Sequence, residues 1–215
     1  MATYRPHDKY FRKAQEKGLP SRAAFKIEEL IGRFRLTPAG ARVVDLGCAP
    51  GGWLAILSRA VGVRGRVVGI DLVACNVRLA NVSVLTADIA DPAALDAALI
   101  FLEAPADLVT SDLAPKLTGI TDQDQARMAE LIGAASDLAR AALRPGGAMI
   151  SKIFMGAEFS AIVAGFKKHF SKVEVVHVQA SRPGSAELYL VARGLRADSR
   201  TSGAGSSRRD GAAGS

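Results

Sequence analysis

Residues 43–53 read VVDLGCAPGGW, an apolar run that reaches Asp45 and then enters a loop with Gly47, Gly51 and Gly52. A strand that ends in a glycine loop is typical of a backbone that approaches a bound cofactor. The spacing here is GxxxGG with a proline inside it, whereas a dinucleotide-binding loop has the spacing GxGxxG. The loop therefore argues against a pyrophosphate held at a helix N-terminus and favours a cofactor without phosphate.

Two further acids follow the next two apolar runs. Asp71 closes the run 66–71, and Asp88 follows the run 82–85. Ligands of a doubly wound sheet bind outside the carboxyl ends of its strands, where Asp71 could bond a ribose diol and Asp88 an adenine amino group. Together with Asp45, these acids match S-adenosylmethionine, an adenosine with an amino-acid tail. Two alternatives remain: a nicotinamide cofactor, which would share Asp71 but not the glycine spacing, and a simple capping role for Asp45.

A second group of charged residues falls at the same predicted edge of the sheet. Asp112 ends the fourth apolar run and Lys152 ends the fifth, while Glu187 begins the last run, which we expect to be antiparallel. A lysine in an apolar strand is costly unless it is paired, and Asp112 and Glu187 are its natural partners. Lys26, on a predicted helix before the sheet, is a second cation that could close the group. The alternative interpretation is a structural ion-pair network.

The elements that would position these residues alternate between strands and helices. We predict strands at 42–46, 66–71, 82–85, 107–112, 147–153, 173–178 and 187–192. We predict helices at 21–34, 52–60, 92–102, 122–143 and 157–169, with Pro-Gly-Gly at 145–147 ending the longest one in a turn. The pattern indicates an α/β fold with a seven-stranded, mostly parallel sheet and helices on both faces. The loop 179–186 joins the last two strands without a helix, so we expect a C-terminal antiparallel hairpin.

The net charge of +7 is concentrated at the two ends of the chain. Residues 1–35 hold nine Lys and Arg against four acids, a net +5, residues 195–215 add +2, and residues 36–194 are neutral overall. Three aromatic rings lie among the N-terminal cations: Tyr4, Tyr10 and Phe11. Such a mixture suits phosphate contact and base stacking, so we expect a basic N-terminal arm and helix that form part of an RNA-binding surface. The alternative is a merely solvated N-terminus. The Gly/Ser/Arg-rich segment 195–215 is expected to be a disordered tail.

The composition restricts the class of protein. A chain of 215 residues, 49% of them hydrophobic, fits one domain. It has no apolar stretch long enough to span a membrane and no secretory signal, so we expect no membrane association. The two cysteines form no CxxC pair, and His7, His169 and His177 lack metal-ligand spacing. We therefore expect no disulfide framework, no metal site, and a cytoplasmic location.

Six segments give a more specific identification: DKYFRKAQEKGLPSRAAFKIEEL, VVDLGCAPGGW, SDLAPKLTG, LRPGG, SKIF and SRPGSAELYLVA. From about Asp8 to Gly194 the chain closely resembles the RrmJ/FtsJ family of ribose 2′-O-methyltransferases, which act on large-subunit ribosomal RNA. The resemblance implies a Rossmann-like S-adenosylmethionine-dependent methyltransferase domain over 36–194. It implies a catalytic tetrad at Lys26, Asp112, Lys152 and Glu187. It also implies cofactor contacts at Gly47, Gly51, Gly52, Trp53, Asp71 and Asp88, and we add Asp45 and Asp112 to that set.

The implied reaction is methyl transfer to a ribose 2′-hydroxyl, with uridine as the expected nucleotide and without a metal. Lys152 is the expected proton acceptor. Alternatively, a charged Lys152 orients the hydroxyl and stabilises the developing alkoxide, because the neighbouring acids favour its charged form while desolvation and nearby cations oppose it. The expected partner of this monomer is ribosomal RNA, either naked or within the large subunit. The alternatives are a transfer RNA methyltransferase of the same family and a non-catalytic RNA-binding protein.

Overall fold

The computed structural model describes residues 23–115, 118, 121–181 and 186–199. These residues form seven strands and five α-helices, followed by a short 3-10 helix at Ala197–Ser199. The strands are β1 (Arg42–Leu46), β2 (Arg66–Asp71), β3 (Val82–Thr86), β4 (Ala106–Ser111), β5 (Leu143–Phe154), β6 (Phe170–Val176) and β7 (Glu187–Leu195). The helices are α1 (Ala23–Phe34), α2 (Gly52–Val61), α3 (Pro92–Leu102), α4 (Thr121–Ala142) and α5 (Phe159–His169).

The strands form one sheet in the order β3-β2-β1-β4-β5-β7-β6. Strands β1 to β5 pair in parallel, and β7 is antiparallel to both β5 and β6. The α/β architecture, the seven strands and the C-terminal antiparallel hairpin predicted from the sequence are therefore confirmed. The strand order changes direction between β1 and β4, and the crevice at the carboxyl ends of such neighbouring strands is the usual ligand site of an open α/β sheet.

Helices cover both faces of the sheet. Successive side chains of a strand point to opposite faces, so the apolar strands need a core on each side. Val44 of β1 belongs to the core on the side of α3, α4 and α5. Val43, one residue earlier, belongs to the core on the side of α1 and α2. The apolar stripe of α1, which includes Ile27 and Leu30, is fully buried on that second side. This packing fixes the position of Lys26 on the same helix.

Several element boundaries differ from the sequence prediction, most of them by one to three residues. β6 begins at Phe170 instead of residue 173, and α5 begins at residue 159 instead of 157. The largest difference lies at β5, which begins at Leu143 and pairs this residue with Ala106. Residues 144–147 then bulge out of the ladder before pairing resumes at Ala148. The Pro-Gly-Gly segment thus interrupts a strand, as expected for a proline that cannot donate a ladder hydrogen bond, and α4 ends at residue 142.

The two ends of the chain are described in part. The predicted basic arm and helix span residues 1–35, of which residues 1–22 lie outside the described residues, and α1 begins directly after them. At the other end, Leu195 is buried at the end of β7, and the backbone oxygen of Ser199 accepts a hydrogen bond from Arg140 Nε at 2.9 Å. Residues 195–199, expected to start the tail, therefore pack against the domain. Within the described ranges, no helix has the length and apolar character needed to cross a membrane.

Candidate active site

The glycine loop lies at the carboxyl end of β1, as predicted. Gly47 has φ +75° and Gly51 has φ +104°, backbone conformations that favour glycine. A methyl group on Gly47 would come within 3.0 Å of the Leu113 side chain, and one on Gly51 would overlap Val77. Both positions therefore favour glycine through their backbone conformation and their close packing. Gly52 is buried at the first position of α2.

Asp71 lies at the carboxyl end of β2, and Asp88 lies just beyond the end of β3. Both positions agree with the sequence prediction. The Asp71 carboxylate accepts hydrogen bonds from the backbone N–H groups of Ala49, at 2.9 Å, and Val73, at 2.8 Å. It thereby ties the glycine loop to the end of β2. Asp88 is exposed, and its Oδ1 accepts a hydrogen bond from Ala90 N at 2.9 Å. Because a carboxylate has about four acceptor sites, both side chains can accept further hydrogen bonds from a ligand.

Asp45 lies beneath the loop with only 1% of its surface exposed. Its Oδ1 accepts a hydrogen bond from Thr110 Oγ1 on β4 at 2.7 Å, and its Oδ2 has no partner among the described residues. Burial raises the pKa of Asp45 to about 8, opposed by the Thr110 hydrogen bond and reinforced by the charges of Asp112 and Asp71. The simple capping role considered for Asp45 is therefore wrong: its carboxyl faces a neighbouring strand.

The four predicted tetrad residues come together as two ion pairs. Lys152 Nζ lies 3.1 Å from Asp112 Oδ1 and also donates a hydrogen bond to the Asp112 backbone oxygen at 2.8 Å. Lys26 Nζ lies 2.6 Å from Glu187 Oε1 and 2.9 Å from Oε2. Burial pushes the pKa of Glu187 upward, but the hydrogen bond and charge of Lys26 outweigh it, so that the pKa is lowered and the carboxylate is favoured. The side chains of both lysines are about nine-tenths buried.

Strand pairing explains why these residues meet. Asp112 N donates a hydrogen bond to Leu46 O at 3.0 Å, which carries the β1–β4 ladder one residue beyond β4 and brings Asp112 beside the glycine loop. On the other side of β5, Lys152 is opposite Tyr189 of antiparallel β7. Glu187 lies two residues before Tyr189 and hence at the same edge. Because β7 is antiparallel, its first residue, Glu187, lies at the edge where the parallel strands end.

Sequence reasoning did not identify Tyr189, which links the two ion pairs. Its hydroxyl donates a hydrogen bond to Asp112 Oδ1 at 3.3 Å, and Lys26 Nζ lies 5.8 Å from the centre of its ring. Burial raises the pKa of Tyr189, and the charges of Asp112 and Glu187 add to the effect, so its hydroxyl stays neutral. The available signal was its position two residues after Glu187, on the same face of the strand.

Ser181 and Trp53 complete the surroundings of the tetrad. Ser181 Oγ donates a hydrogen bond to Glu187 Oε1 at 2.9 Å, a contact that sequence reasoning also missed. Trp53 is buried, and its ring centre lies 6.1 Å from that of Tyr189. Its Nε1 donates a hydrogen bond to Ala23 O at 2.9 Å, which anchors the start of α1. Trp53 thus packs beside Tyr189 and holds the start of the helix that carries Lys26. Its expected contact with a cofactor stays a prediction.

Solved structures share this fold at low sequence identity. A chain described as a candidate ribosomal RNA methyltransferase from Plasmodium falciparum matches with a TM-score of 0.72 and 23% identity, over 81% of this chain and 97% of that one. The MycE methyltransferase of the mycinamycin pathway, solved with Mg and SAH, matches with a TM-score of 0.55 and 14% identity, over 87% of this chain and 49% of that one. The fold is that of the Rossmann-like methyltransferases.

Sequence comparison is more specific than fold comparison. The family model of the FtsJ-like methyltransferases matches residues 19–195. "Ribosomal RNA large subunit methyltransferase E" of Myxococcus xanthus is 46% identical over 200 residues, which cover 90% of each chain. The protein of the same name from Syntrophobacter fumaroxidans is 40% identical over 90% of this chain and 98% of its own. The chain belongs to the FtsJ-like methyltransferase family and is a methyltransferase, which confirms the resemblance seen in its sequence.

Proposed function

We propose that the protein transfers a methyl group from S-adenosylmethionine to a ribose 2′-hydroxyl of large-subunit ribosomal RNA, with uridine as the nucleotide. The names of the Myxococcus and Syntrophobacter relatives support the choice of RNA. The observation that carries the chemistry is the pair of linked lysine–carboxylate contacts beside the glycine loop, with Lys152 held at 3.1 Å from Asp112. We also propose that the protein acts as a monomer and that its substrate is either naked RNA or the assembled large subunit.

The residues around the loop fit S-adenosylmethionine. Bound there, the cofactor supplies a methyl group activated by its sulfonium. Asp71 and Asp88 offer acceptors for a ribose diol and an amino group, and the backbone around Gly47 forms the floor of the site. The buried Oδ2 of Asp45, which lacks a partner among the described residues, provides a further polar group for a water bound beneath the cofactor. No pyrophosphate-binding spacing competes with this assignment.

The proposed role of the tetrad is to hold the ribose hydroxyl and to assist the loss of its proton. Asp112 fixes Lys152 through both its carboxylate and its backbone oxygen, so that the ammonium has little freedom to move away. Lys26 and Glu187 form the second pair and shape the opposite wall. In one version neutral Lys152 takes the proton, and in the other charged Lys152 orients the hydroxyl and the proton leaves late. A methyl-transfer rate that rises with pH supports the first version, and a rate that does not change with pH supports the second.

The proposal is tested by methyl incorporation into RNA. The purified protein is incubated with labelled S-adenosylmethionine and either naked large-subunit RNA, assembled large subunits or transfer RNA, and the 2′-O-methyl positions are mapped. We expect label in large-subunit RNA. Label confined to transfer RNA would overturn the substrate, and cofactor binding without any transfer would leave a non-catalytic RNA-binding protein. Stabilisation by NAD but not by S-adenosylmethionine in a thermal-shift assay would overturn the cofactor.

Lys152→Ala tests the role of the tetrad. The variant should lose methyl transfer by at least about 100-fold, the usual contribution of a positioned acid or base. It should still bind S-adenosylmethionine, because the lysine is proposed to face the hydroxyl. Lys172→Ala is the matched control, since Lys172 is an exposed lysine of β6 that also pairs with a carboxylate, Glu174, at 3.3 Å. Substantial turnover by Lys152→Ala would make this lysine structural.

RNA affinity is proposed to come mainly from the basic arm. Residues 1–35 carry a net +5 while 36–194 are neutral. Lys26 is excluded from the arm's phosphate contacts because it is held by Glu187 at 2.6 Å. The test set, called the arm variant, replaces four residues by Glu: Lys9, Arg12, Lys13 and Lys17. Cofactor binding should survive in this variant, because the glycine loop and Asp71 are untouched.

A further inference from the structure

A cleft lies between the N-terminal halves of α4 and α5, beside the tetrad. Its volume of about 340 Å³ falls at the lower end of the range for small-ligand pockets, roughly 300–1,000 Å³. Its lining is dominated by large apolar side chains: Met128, Phe154, Met155, Phe159 and Ile162. Met155 is 60% exposed, although it is a large hydrophobic residue. The cleft is therefore an open apolar surface at the carboxyl edge of the sheet, and none of the four tetrad residues lines it.

The cleft is continuous with the tetrad through the chain. Pro115 in its wall follows Asp112 by three residues, and Phe154 follows Lys152 by two. Ala186, also in the wall, directly precedes Glu187. Three of the four tetrad residues thus lie on segments that run into the cleft. A group seated there therefore lies at the same carboxyl edge of the sheet as the lysine that is proposed to meet the ribose hydroxyl.

Polar groups lie at the mouth of this apolar cleft. Gln125 Oε1 accepts a hydrogen bond from the backbone N–H of Ala157 at 3.2 Å, which fixes the side-chain amide. A methyl group on Gly156 would come within about 3 Å of that amide, so Gly156 allows Gln125 to pack closely over the loop. Gln125 Nε2 has no hydrogen-bond partner within the described part of the chain and offers two N–H donors. The lining also includes the acidic residues Asp124 and Glu158. An apolar slot with an amide donor and carboxylates at its rim matches a flat ring that has both carbonyl acceptors and N–H donors on its edge.

We propose that this cleft holds the nucleobase of the ribonucleotide that is methylated, a conclusion that rests on the proposed function. Phe159 and Met155 pack against the base, and the Gln125 amide donates to its polar edge. Proteins that recognise single-stranded RNA commonly stack splayed-out bases on aromatic side chains. Anchoring the base orients the attached ribose, and in-line transfer requires that its hydroxyl be aligned with the methyl group. Phe159 and Gln125 are thus residues that position the substrate, in addition to the tetrad.

Kinetics of Phe159→Ala give the first test, with RNA that carries the mapped methylation site. Removing a stacking ring should lower kcat/KM for RNA by roughly 5- to 150-fold, mainly through KM. S-adenosylmethionine affinity should not change, and Phe159→Leu should recover part of the loss because it restores apolar bulk. Phe101→Ala is the matched control: Phe101 is also a half-buried phenylalanine packed on the same core cluster, but on α3. A loss equal in both alanine variants would indicate general destabilisation and overturn the assignment.

An abasic substrate gives the second test. RNA that lacks only the base at the methylated position keeps the 2′-hydroxyl, so wild type should lose activity on it. Phe159→Ala should then lose nothing further, because the group that the ring contacts is already absent. An effect of Phe159→Ala that persists on abasic RNA would overturn the proposal, since the ring would then act on the RNA backbone or on a ribosomal protein. Wild type that methylates no RNA refutes the proposed function, whereas active wild type with an unaffected Phe159→Ala variant refutes the cleft alone.

Discussion

Replacing Asp45 by Asn should stabilise the protein relative to wild type as the pH rises. The Asp45 carboxyl is 1% exposed, and its Oδ2 has no partner among the described residues. Burial raises its pKa from 3.8 to about 8, with Thr110 acting against this shift and the charges of Asp112 and Asp71 adding to it. The native protein therefore keeps a proton on Asp45 that the unfolded chain releases above about pH 4.

The sign and size of the effect follow from this difference in pKa. Between the unfolded and folded pKa values the native state binds more protons, so the free energy of unfolding falls as the pH rises through that window. Each pKa unit corresponds to about 1.4 kcal/mol, so the loss between pH 5 and pH 8 is at most roughly 3–4 kcal/mol. Asn does not titrate and can still accept the hydrogen bond from Thr110. The Asp45→Asn variant should lack this loss.

Urea unfolding at pH 5, 6, 7 and 8 measures the effect directly. The difference in unfolding free energy between Asp45→Asn and wild type should increase steadily in favour of the variant. Asp96→Asn, at an exposed position of α3, is the control and should follow wild type at every pH, because solvent screens an exposed carboxylate. If wild type and Asp45→Asn give parallel curves from pH 5 to pH 8, Asp45 does not hold a proton in the native state and the reasoning is refuted.

Three further predictions concern the site and the arm. Asp71→Ala should weaken S-adenosylmethionine binding in calorimetry by about tenfold or more, because a charged acceptor and the anchor of Ala49 N are removed together; unchanged affinity would remove Asp71 from the cofactor site. A double-mutant cycle of urea unfolding with Lys26→Met and Glu187→Gln should give a coupling free energy of about 1–3 kcal/mol, since the two side chains are only 12% and 13% exposed. Purely additive effects would show that the two side chains do not stabilise one another. For the arm variant, a plot of the logarithm of RNA affinity against the logarithm of salt concentration should be flatter, by about 0.7–0.9 slope units for each phosphate that the arm no longer neutralises. A slope equal to that of wild type would show that these four residues bind no phosphate.

The elements of the fold could be read from the sequence because they are encoded locally. Short β-branched runs alternate with helical periodicity, and each run gives a strand or helix close to its predicted position. The exceptions arise where long-range pairing decides the boundary. Leu143 belongs to β5 because Ala106 is available as its partner, and Leu195 and Ser199 stay ordered because they pack against the domain. Such partners are distant in sequence, so the local pattern does not contain them.

The residues of the proposed tetrad could also be identified from the sequence, whereas their arrangement could not. Strand ends could be located from the apolar runs, so the pattern itself brought Asp112 and Lys152 to one edge of the sheet. The partner of each lysine depended on the tertiary structure: Lys26 binds a glutamate 161 residues away only because β7 inserts between β5 and β6. The same insertion places Tyr189 between the ion pairs. The raised pKa of Asp45 and the cleft beside Phe159 likewise arise from burial and from packing between separate elements, which periodicity along a single chain cannot encode.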